Sequence, residues 1–325
     1  MRSRLICDLE LNFRLSLEND IADSPVSFCS SRRGYTRGQM KFQFWFAQLL
    51  EFTWQELLSC LFPIVIFSSL AFSKLVPWSS LIPGFGRYDF LLTVCILTQY
   101  LMWRYKLETT DEMKVIGVFH LLGLALELVK VQLGSWSYPE DALSKVGGVP
   151  LYSGFMYASV ASYICQAWRR FDLRLTGWPN SRSPSAIALA VYINFFSHHW
   201  IPDFRWLIAA LAFAIFWRTR VFFWVRGHEY RMPLTLSFVL IGFFVWIAEN
   251  LGTISGAWLY PHQTNGWKVV DLGKFSSWSL LVIVSLIVVA ALKDLKARQS
   301  AILERSPSGV SRTESFLNWI GYSKG

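Results

Sequence analysis

Charge is scarce in this chain. Only 16% of its 325 residues are charged, against roughly 25% in ordinary soluble domains. Hydrophobic residues make up 53%, aromatic residues make up 17%, and the mean hydropathy is positive. This balance excludes a pair of ordinary soluble domains and indicates a chain embedded in a lipid bilayer.

The motifs that mark several enzyme classes are also missing. The sequence contains no glycine-rich phosphate loop, no nucleophile elbow, no DDxxD-type carboxylate cluster and no HExxH zinc motif. Nothing in it indicates ATP or a nicotinamide, so the cofactor is unknown. The five cysteines show no pair spacing and three lie in apolar segments, so we expect neither a disulfide nor a metal site.

Positive charge is present but dispersed. A net charge of +9 would ordinarily point to a nucleic acid partner. The lysines and arginines instead stand in short runs between apolar segments, as the positive-inside rule describes. We therefore predict the lipid bilayer as the environment and no nucleic acid partner.

Eight apolar segments are candidates for membrane spans, which need ~17–25 mostly apolar residues. The basic runs fall in alternate loops, so all of them can face the cytoplasm. This predicts an all-α polytopic protein of about eight transmembrane helices in the cell inner (plasma) membrane, with both termini cytoplasmic. The segments are Leu57–Val76, Phe90–Trp103, Val115–Leu133, Leu151–Trp168, Ser185–Trp200, Trp206–Phe223, Pro233–Ile254 and Phe275–Leu292.

The membrane domain is predicted to occupy residues 40–298. Residues 1–39 are polar and rich in Ser and Arg, which predicts a disordered N-terminal extension, with Met40 as an alternative start. Residues 299–325 are expected to form a cytoplasmic tail. The aromatic stretch Phe42–Phe52 predicts an interfacial amphipathic helix that leads into the first span.

One sequence frame occurs twice: Glu, six residues, Gly, one residue, Trp, one residue, then Tyr-Pro. The first copy, ELVKVQLGSWSYP, is Glu127–Pro139, and the second, ENLGTISGAWLYP, is Glu249–Pro261. The copies fall in the third and seventh spans. They predict an internal repeat of two tandem, pseudo-symmetric four-helix halves, at about residues 57–170 and 185–293.

The end of the frame is typical of a helix exit, because Gly ends helices and Trp and Tyr favour the headgroup level. The acids need a further reason, since each lies ~10 Å deeper than its exit at 1.5 Å per residue. A carboxylate costs roughly 2.5–3.5 kcal/mol at the bilayer centre and less near its surface. Lys130, three residues after Glu127, is a candidate ion-pair partner.

A third polar group lies in the turn between the fifth and sixth spans, on the same predicted outer side as both exits. We expect it to meet the two acids in one outer pocket. Its adjacent histidines would diverge by ~100° on a helix, which does not suit one metal ion. The members of this group are Asn194, His198, His199, Asp203 and Arg205.

These stretches carry a resemblance to a known family. LLSCLFPIVIFSSLAFSK, ELVKVQLGSWSYPE, NFFSHHWIPDFRW and AENLGTISGAWLYP resemble the YoaT-like family of bacterial integral membrane proteins, a domain of unknown function. The resemblance covers Met40 to about Arg298. It implies a membrane location and no particular activity.

The frame is more distantly similar to the duplicated transmembrane units of heterodimeric-type lycopene cyclases and carotenoid hydratases. Those enzymes follow the helix exit with Pro-x-Glu-Glu, whose glutamates would supply a proton. This chain has VPLYSG, Val149–Gly154, and LGKFSS, Leu272–Ser277, at the matching places. Because the paired glutamates are missing from both, the resemblance implies a shared architecture more than a shared reaction.

Three functions fit these residues, and the sequence does not decide whether the protein is an enzyme. The first is a membrane-embedded enzyme for a lipid or isoprenoid-like substrate, with Glu127, Glu249, His198 and His199 as catalytic groups. The aromatic rings of the substrate-binding residues would also shield a carbocation. The residues expected to bind the substrate are Asn194, Asp203, Arg205, Trp136, Tyr138, Asn250, Trp258 and Tyr260. The second is a secondary transporter or permease in which the same glutamates bind substrate or couple to protons, marked by broken helices. The third is a scaffold whose acids only lock helices together.

Overall fold

The computed structural model describes residues 37–78, 82–180 and 182–305. The predicted extension up to residue 36 and the end of the predicted tail, residues 306–325, lie outside the described residues. Nine helices lie within the described ranges. They are Arg37–Ser59 (α1), Leu61–Ser73 (α2), Arg87–Arg104 (α3), Thr110–Gln132 (α4), Ser153–Arg170 (α5), Arg182–Ser197 (α6), Arg205–Phe216 (α7), Leu234–Ile254 (α8) and Gly273–Arg305 (α9).

Each of the eight predicted segments overlaps a helix, α2 to α9 in order. Three of these helices, α4, α8 and α9, are long and apolar enough to cross a membrane. A fourth crossing results if α1 and α2, which are bent by 69° relative to each other, form one broken span. The chain is therefore a mostly helical membrane protein in a bilayer environment, and the count of eight full spans is not confirmed.

Five short strands, which the apolar pattern does not predict, form two small antiparallel sheets. Each hairpin turns through two residues with positive φ, Gly147–Gly148 and Arg226–Gly227, as tight two-residue turns require. The strands are Lys145–Val146 (β1), Val149–Pro150 (β2), Arg174–Thr176 (β3), Arg220–Val225 (β4) and His228–Pro233 (β5), with β1 beside β2 and β4 between β3 and β5.

The sixth segment shows where the apolar pattern misleads. It predicts one helix over Trp206–Phe223, but α7 ends at Phe216 and the chain enters β4 at Arg220. Val221 and Phe223 are apolar residues of types that also favour strands. A short apolar run cannot distinguish a helix end from a strand, so the predicted boundary is wrong.

The predicted interfacial helix is part of α1. Phe44, Trp45 and Phe46 are exposed on it, and α1 leaves the direction of α2 at a break next to Cys60. The helix itself is confirmed. Its position at the bilayer surface stays a prediction.

The helices pack in an order that recurs along the chain. α2 contacts α3 and α5, and α6 contacts α7 and α9. α4 packs on α5, α8 packs on α9, and α5 and α9 contact each other. Most of α5 is buried, and α9 is the most buried of the three membrane-crossing helices. The two helices that carry the repeated frame, α4 and α8, are thus each held against a central helix.

Glycines allow the close approach of these pairs. A Cβ on Gly123 of α4 would lie 2.5 Å from the ring of Tyr157 in α5. A Cβ on Gly242 of α8 would likewise overlap Ser279 of α9. Small residues at helix interfaces bring backbones together in this way within membranes.

We expect Gly123→Ala to destabilise the protein by roughly 1–3 kcal/mol, because the added methyl group overpacks against Tyr157. Gly117 is the matched control in the same helix, since nothing lies within 4 Å of a Cβ there and alanine is the better helix former. Thermal unfolding in detergent measures both variants. Equal stabilities would contradict the packing of α4 on α5.

Candidate functional site

Both copies of the frame end their helix in the same way. Gly134 and Gly256 have φ values of +69° and +70°, the left-handed conformation that glycine adopts after a helix. The amide of each glycine donates to the carbonyl three residues back, and the next amide donates to the carbonyl five back, at 2.9–3.1 Å. These are Schellman motifs, so the predicted helix exits are confirmed.

The first exit folds the chain back onto Glu127. Oε2 of Glu127 accepts hydrogen bonds from Trp136 Nε1 at 2.7 Å and from Tyr138 Oη at 2.8 Å. Its Oε1 accepts from Tyr157 Oη of α5 at 2.8 Å. Glu127 is 4% exposed, and three donors offset the cost of burying its carboxylate.

The second exit repeats this arrangement around Glu249. Oε1 of Glu249 accepts from Trp258 Nε1 at 2.9 Å and from Tyr260 Oη at 2.5 Å. Gly252 makes room for the indole, because a Cβ there would overlap the Trp258 ring. The frame is therefore a structural motif in which the Trp and Tyr after the helix exit donate hydrogen bonds to the acid before it.

The two copies also bind each other. Ser137 N donates to Leu259 O, and Leu259 N donates to Ser137 O, each at 2.9 Å. Ser137 and Leu259 hold the same position in the two frames. The two hydrogen bonds therefore pair equivalent residues of the two copies. The Trp136 and Tyr260 rings meet edge-on, with centroids 6.0 Å apart.

Residues outside the frames fix the second exit to the first half of the chain. Arg87 Nη2 donates to Ser255 O at 3.0 Å, and its Nη1 pairs with Glu140 Oε1 at 2.8 Å. Tyr88 Oη donates to Ala257 O at 3.1 Å. Arg87 is buried, so the Ser255 carbonyl at the end of α8 has a fixed cation as its partner.

Both glutamates line one cavity of about 780 Å³ whose other lining side chains are mostly apolar. The lining follows α5 from Met156 to Trp168, a length of ~18 Å at 1.5 Å per residue. Trp136, Tyr138, Trp258 and Tyr260 also line it. The two acids therefore line the same pocket, as the sequence predicts.

Three cations line the end of the cavity that holds the exits: Lys130 of α4, Arg205 of α7 and Lys274 of α9. Lys274 Nζ lies 4.9 Å from the ring centroid of Trp136 and 4.6 Å from that of Tyr260. Aromatic faces attract cations at such distances. The ring faces that the sequence offers to a carbocation thus already hold an ammonium group.

Lys130 does not form the ion pair with Glu127 that the spacing suggests. Its Nζ lies 3.1 Å from His198 Nδ1, and among the described residues no ion pair joins Lys130 to an acid. Burial lowers the pKa of His198, and the Lys130 ammonium lowers this pKa further. A neutral imidazole can accept the hydrogen bond of the ammonium.

Asn194 and Asp203 orient Arg205. Asn194 Nδ2 donates to Asp203 Oδ1 at 3.0 Å, and Asp203 pairs with Arg205. Arg205 Nη1 then donates to Gly273 O and Ser277 Oγ at 3.2 and 3.1 Å. Burial would raise the pKa of Asp203, but hydrogen bonds from Arg205 and Asn194 outweigh burial and hold this pKa well below its ordinary value. Of the three residues, Arg205 lines the cavity.

His199 lies beside the cavity rather than in its lining. Its Nε2 is 3.2 Å from Ser135 Oγ, and its ring stacks on His198 at 4.4 Å. The two rings do not diverge as on a helix, because α6 ends at Ser197. Within the described part of the chain, no group of three or more His, Cys, Asp and Glu could hold a metal ion.

Asn250 also lies outside the cavity lining. Its Nδ2 donates to Trp246 O at 2.8 Å, and its Oδ1 accepts from Val270 N at 2.9 Å. These bonds attach the loop before α9 to α8. Asn250 thereby supports the position of Lys274 without facing the cavity.

Sequence reasoning missed Lys274, Tyr157 and Ser277 as members of this site. Lys274 stands in LGKFSS, and a lone lysine at the start of an apolar span was the available signal. Tyr157 and Ser277 had no signal, because polar residues that face inward cannot be told from helix-packing residues without the neighbouring helix.

Comparison with known proteins shows to which family this sequence is similar. The model of the family described as "Protein of unknown function (DUF817)" matches residues 48–286. The "Uncharacterized protein YoaT" of Bacillus subtilis (strain 168) is 55% identical over 269 residues, which are 83% of this chain and 98% of the relative. The predicted resemblance to the YoaT-like family is confirmed, and these matches lend no support to the more distant one with lycopene cyclases.

Two solved structures are also similar. They are crystal structures of MvINS, an Insig homologue from Mycobacterium vanbaalenii, one of them as a cross-linked trimer. The identities are 13% and 15%, the TM-scores are 0.38 and 0.39, and each match covers 55% of this chain and 93% of the other. Matches at this level add nothing to the description of the fold.

Replacing Glu127 separates hydrogen bonding from charge. We expect Glu127→Leu to lose several kcal/mol of stability, since each donor left unsatisfied costs roughly 1–3 kcal/mol. Glu127→Gln should lose much less, because its carbonyl oxygen can accept from Trp136 and Tyr138 while its amide donates to Tyr157 Oη. Thermal unfolding in detergent compares the two variants. If the Gln variant is as unstable as the Leu variant, the frame depends on the charge.

Proposed function

Because the chain belongs to the DUF817 family of proteins of unknown function, we propose its function from the cavity: the protein binds a lipid-like molecule within the membrane. The observation that carries the proposal is the form of the cavity. Its volume of about 780 Å³ is within the range of roughly 300–1,000 Å³ found for small-molecule sites. It is apolar along α5 and polar at the exits, which suits an amphipathic molecule such as an isoprenoid.

The position of the cavity supports entry from the bilayer. Several of its lining side chains are also exposed on the outer surface of the helices, among them Leu57 and Ile64 of α1 and α2, and Leu240, Phe244 and Leu251 of α8. In a membrane these faces meet lipid. A hydrophobic ligand can therefore enter between α2 and α8 without crossing water.

Catalysis by the glutamates is the second step of the proposal. Both carboxylates lie at the polar end, where the head of a bound lipid would be. Glu127 uses both oxygens for hydrogen bonds. Glu249 uses Oε1 twice, and among the described residues no hydrogen bond reaches its Oε2. We therefore assign the acid/base role to Glu249 and a supporting role to Glu127.

The transporter and scaffold alternatives have less support. α4 is continuous from Thr110 to Gln132, and α8 is continuous from Leu234 to Ile254. The one bent pair within the described residues, α1 and α2, breaks far from both frames in sequence. A scaffold would explain the hydrogen bonds of the frames, but it would not need a cavity beside them.

The duplicated architecture also belongs to the proposal. Two pseudo-symmetric halves at about residues 57–170 and 185–293 are supported by the recurring helix contacts and by the matching exits. Cytoplasmic termini in the plasma membrane are supported by one ion-pair cluster at the predicted inner side, where Glu112 pairs with Arg169 and Lys293.

Filling the cavity tests ligand binding. We expect wild-type protein purified in mild detergent to retain about one lipid-like molecule per chain, identified by mass spectrometry of its extract. Ala248→Trp should lose this molecule, since Ala248 lines the cavity. Ala210→Trp is the matched control, because Ala210 is exposed on α7 and outside the lining. Retention of the same molecule by the Ala248 variant would contradict the proposal.

Lipid profiles of cells test catalysis. Overexpression of the wild-type protein should change the amount of one isoprenoid or other lipid species, and Glu249→Gln at equal protein amount should not. Glu127→Gln should keep part of the effect, because the role assigned to Glu127 is support. An unchanged profile with the wild-type protein would contradict the enzyme and leave only binding.

A further inference from the structure

We propose that the ligand carries an oxyanion, a phosphate or a carboxylate, bound by Lys130, Arg205 and Lys274. The inference rests on the proposed lipid binding and names the head group. These three cations come from α4, α7 and α9 and line the same end of the cavity. The positive charges of Lys274 and Arg205 repel Lys130 and the negative charge of Asp203 attracts it, so further negative charge would stabilise the three cations at this end.

One of the three cations forms an ion pair with an acid of the protein. Arg205 pairs with Asp203. Lys130 has a neutral histidine as its hydrogen-bond partner, and Lys274 has two ring faces. Among the described residues, no carboxylate forms an ion pair with either lysine. Two ammonium groups at the end of an apolar cavity thus lack a close anion.

The two glutamates are the competing counter-ions. Both attract Lys274 at a distance, as does Asp271, but the hydrogen bonds that the glutamates accept come from tryptophan and tyrosine. Three of their four oxygens are thus held toward neutral donors, and among the described residues the fourth, Glu249 Oε2, forms no ion pair with either lysine. The lysines are left with unused N–H groups. An ammonium has three donors and no acceptor, so the unused groups need an acceptor, and an oxyanion is the strongest one.

The remaining groups at this end fit an oxyanion. Ser277 lines the cavity and accepts from Arg205 Nη1 at 3.1 Å, which leaves its hydroxyl hydrogen for a ligand oxygen. Trp136 and Trp258 stand at the exits, the residue type that marks the headgroup level of a membrane. A lipid with its tail along α5 would place its head among the three cations.

Four probes with one C12 tail test the inference: dodecyl phosphate, dodecanoate, dodecanol and dodecyltrimethylammonium. Each is titrated below its micelle concentration into delipidated wild-type protein in neutral detergent, with calorimetry as the readout. We expect one or both anions to bind roughly tenfold or more tightly than the alcohol, and the cation to bind more weakly than the alcohol. Preference between the two anions identifies a phosphate or a carboxylate source.

Variants locate the effect. Lys130→Met and Lys274→Met should each remove most of the anion preference and leave dodecanol binding unchanged, which also shows that they are folded. Lys274→Arg should retain the preference. Lys114→Met is the matched control in α4, because Lys114 is exposed and pairs with Asp111.

The outcomes separate the inference from the proposed function. Equal binding of the alcohol and both anions would overturn the oxyanion and leave lipid binding intact, with the glutamates as the counter-ions. An anion preference that survives both methionine substitutions would overturn the assignment of the lysines. Binding of no probe would count against the cavity as a lipid site altogether.

Discussion

The rest of this site depends on two carboxylates buried in membrane helices. Each must find hydrogen-bond donors inside the protein, since lipid offers none. The frame supplies them from its own sequence: a left-handed glycine ends the helix, and the chain returns so that a tryptophan and a tyrosine reach the acid. Spacing in the frame is thus set by geometry, because only a residue beyond such a turn can fold back over the helix.

The two copies of the frame together form the polar end of the cavity. The returning segments lie side by side and exchange two backbone hydrogen bonds at Ser137 and Leu259. This pairing brings both acids, their aromatic donors and the start of α9 to one place. Lys274, the second residue of α9, lies at this place with its ammonium over the rings of Trp136 and Tyr260.

Local signals in the sequence predicted the parts of the structure that depend on neighbouring residues. The two exits, the approach of the acids and the approximate positions of eight helices follow from glycine, tryptophan and apolar periodicity. The strands β4 and β5 and the end of α7 did not follow, because a short apolar run fits a helix and a strand equally. Lys130 shows the other limit: its partner, His198, comes from the turn after α6, and only the fold brings them together.

The two copies of the frame share geometry but differ in chemistry three residues after the acid. Gly252, three residues after Glu249, lets the Trp258 ring lie against α8, where this ring is buried. The first copy has Lys130 at that place, so Trp136 cannot lie on α4 in the same manner and stays half-buried beside Lys274. In the second copy, the Trp258 ring therefore packs against its own helix. In the first copy, the Lys130 ammonium and the Trp136 indole face the cavity. This difference between the two copies would give the cavity one polar end, which suits the proposed ligand with one head and one tail.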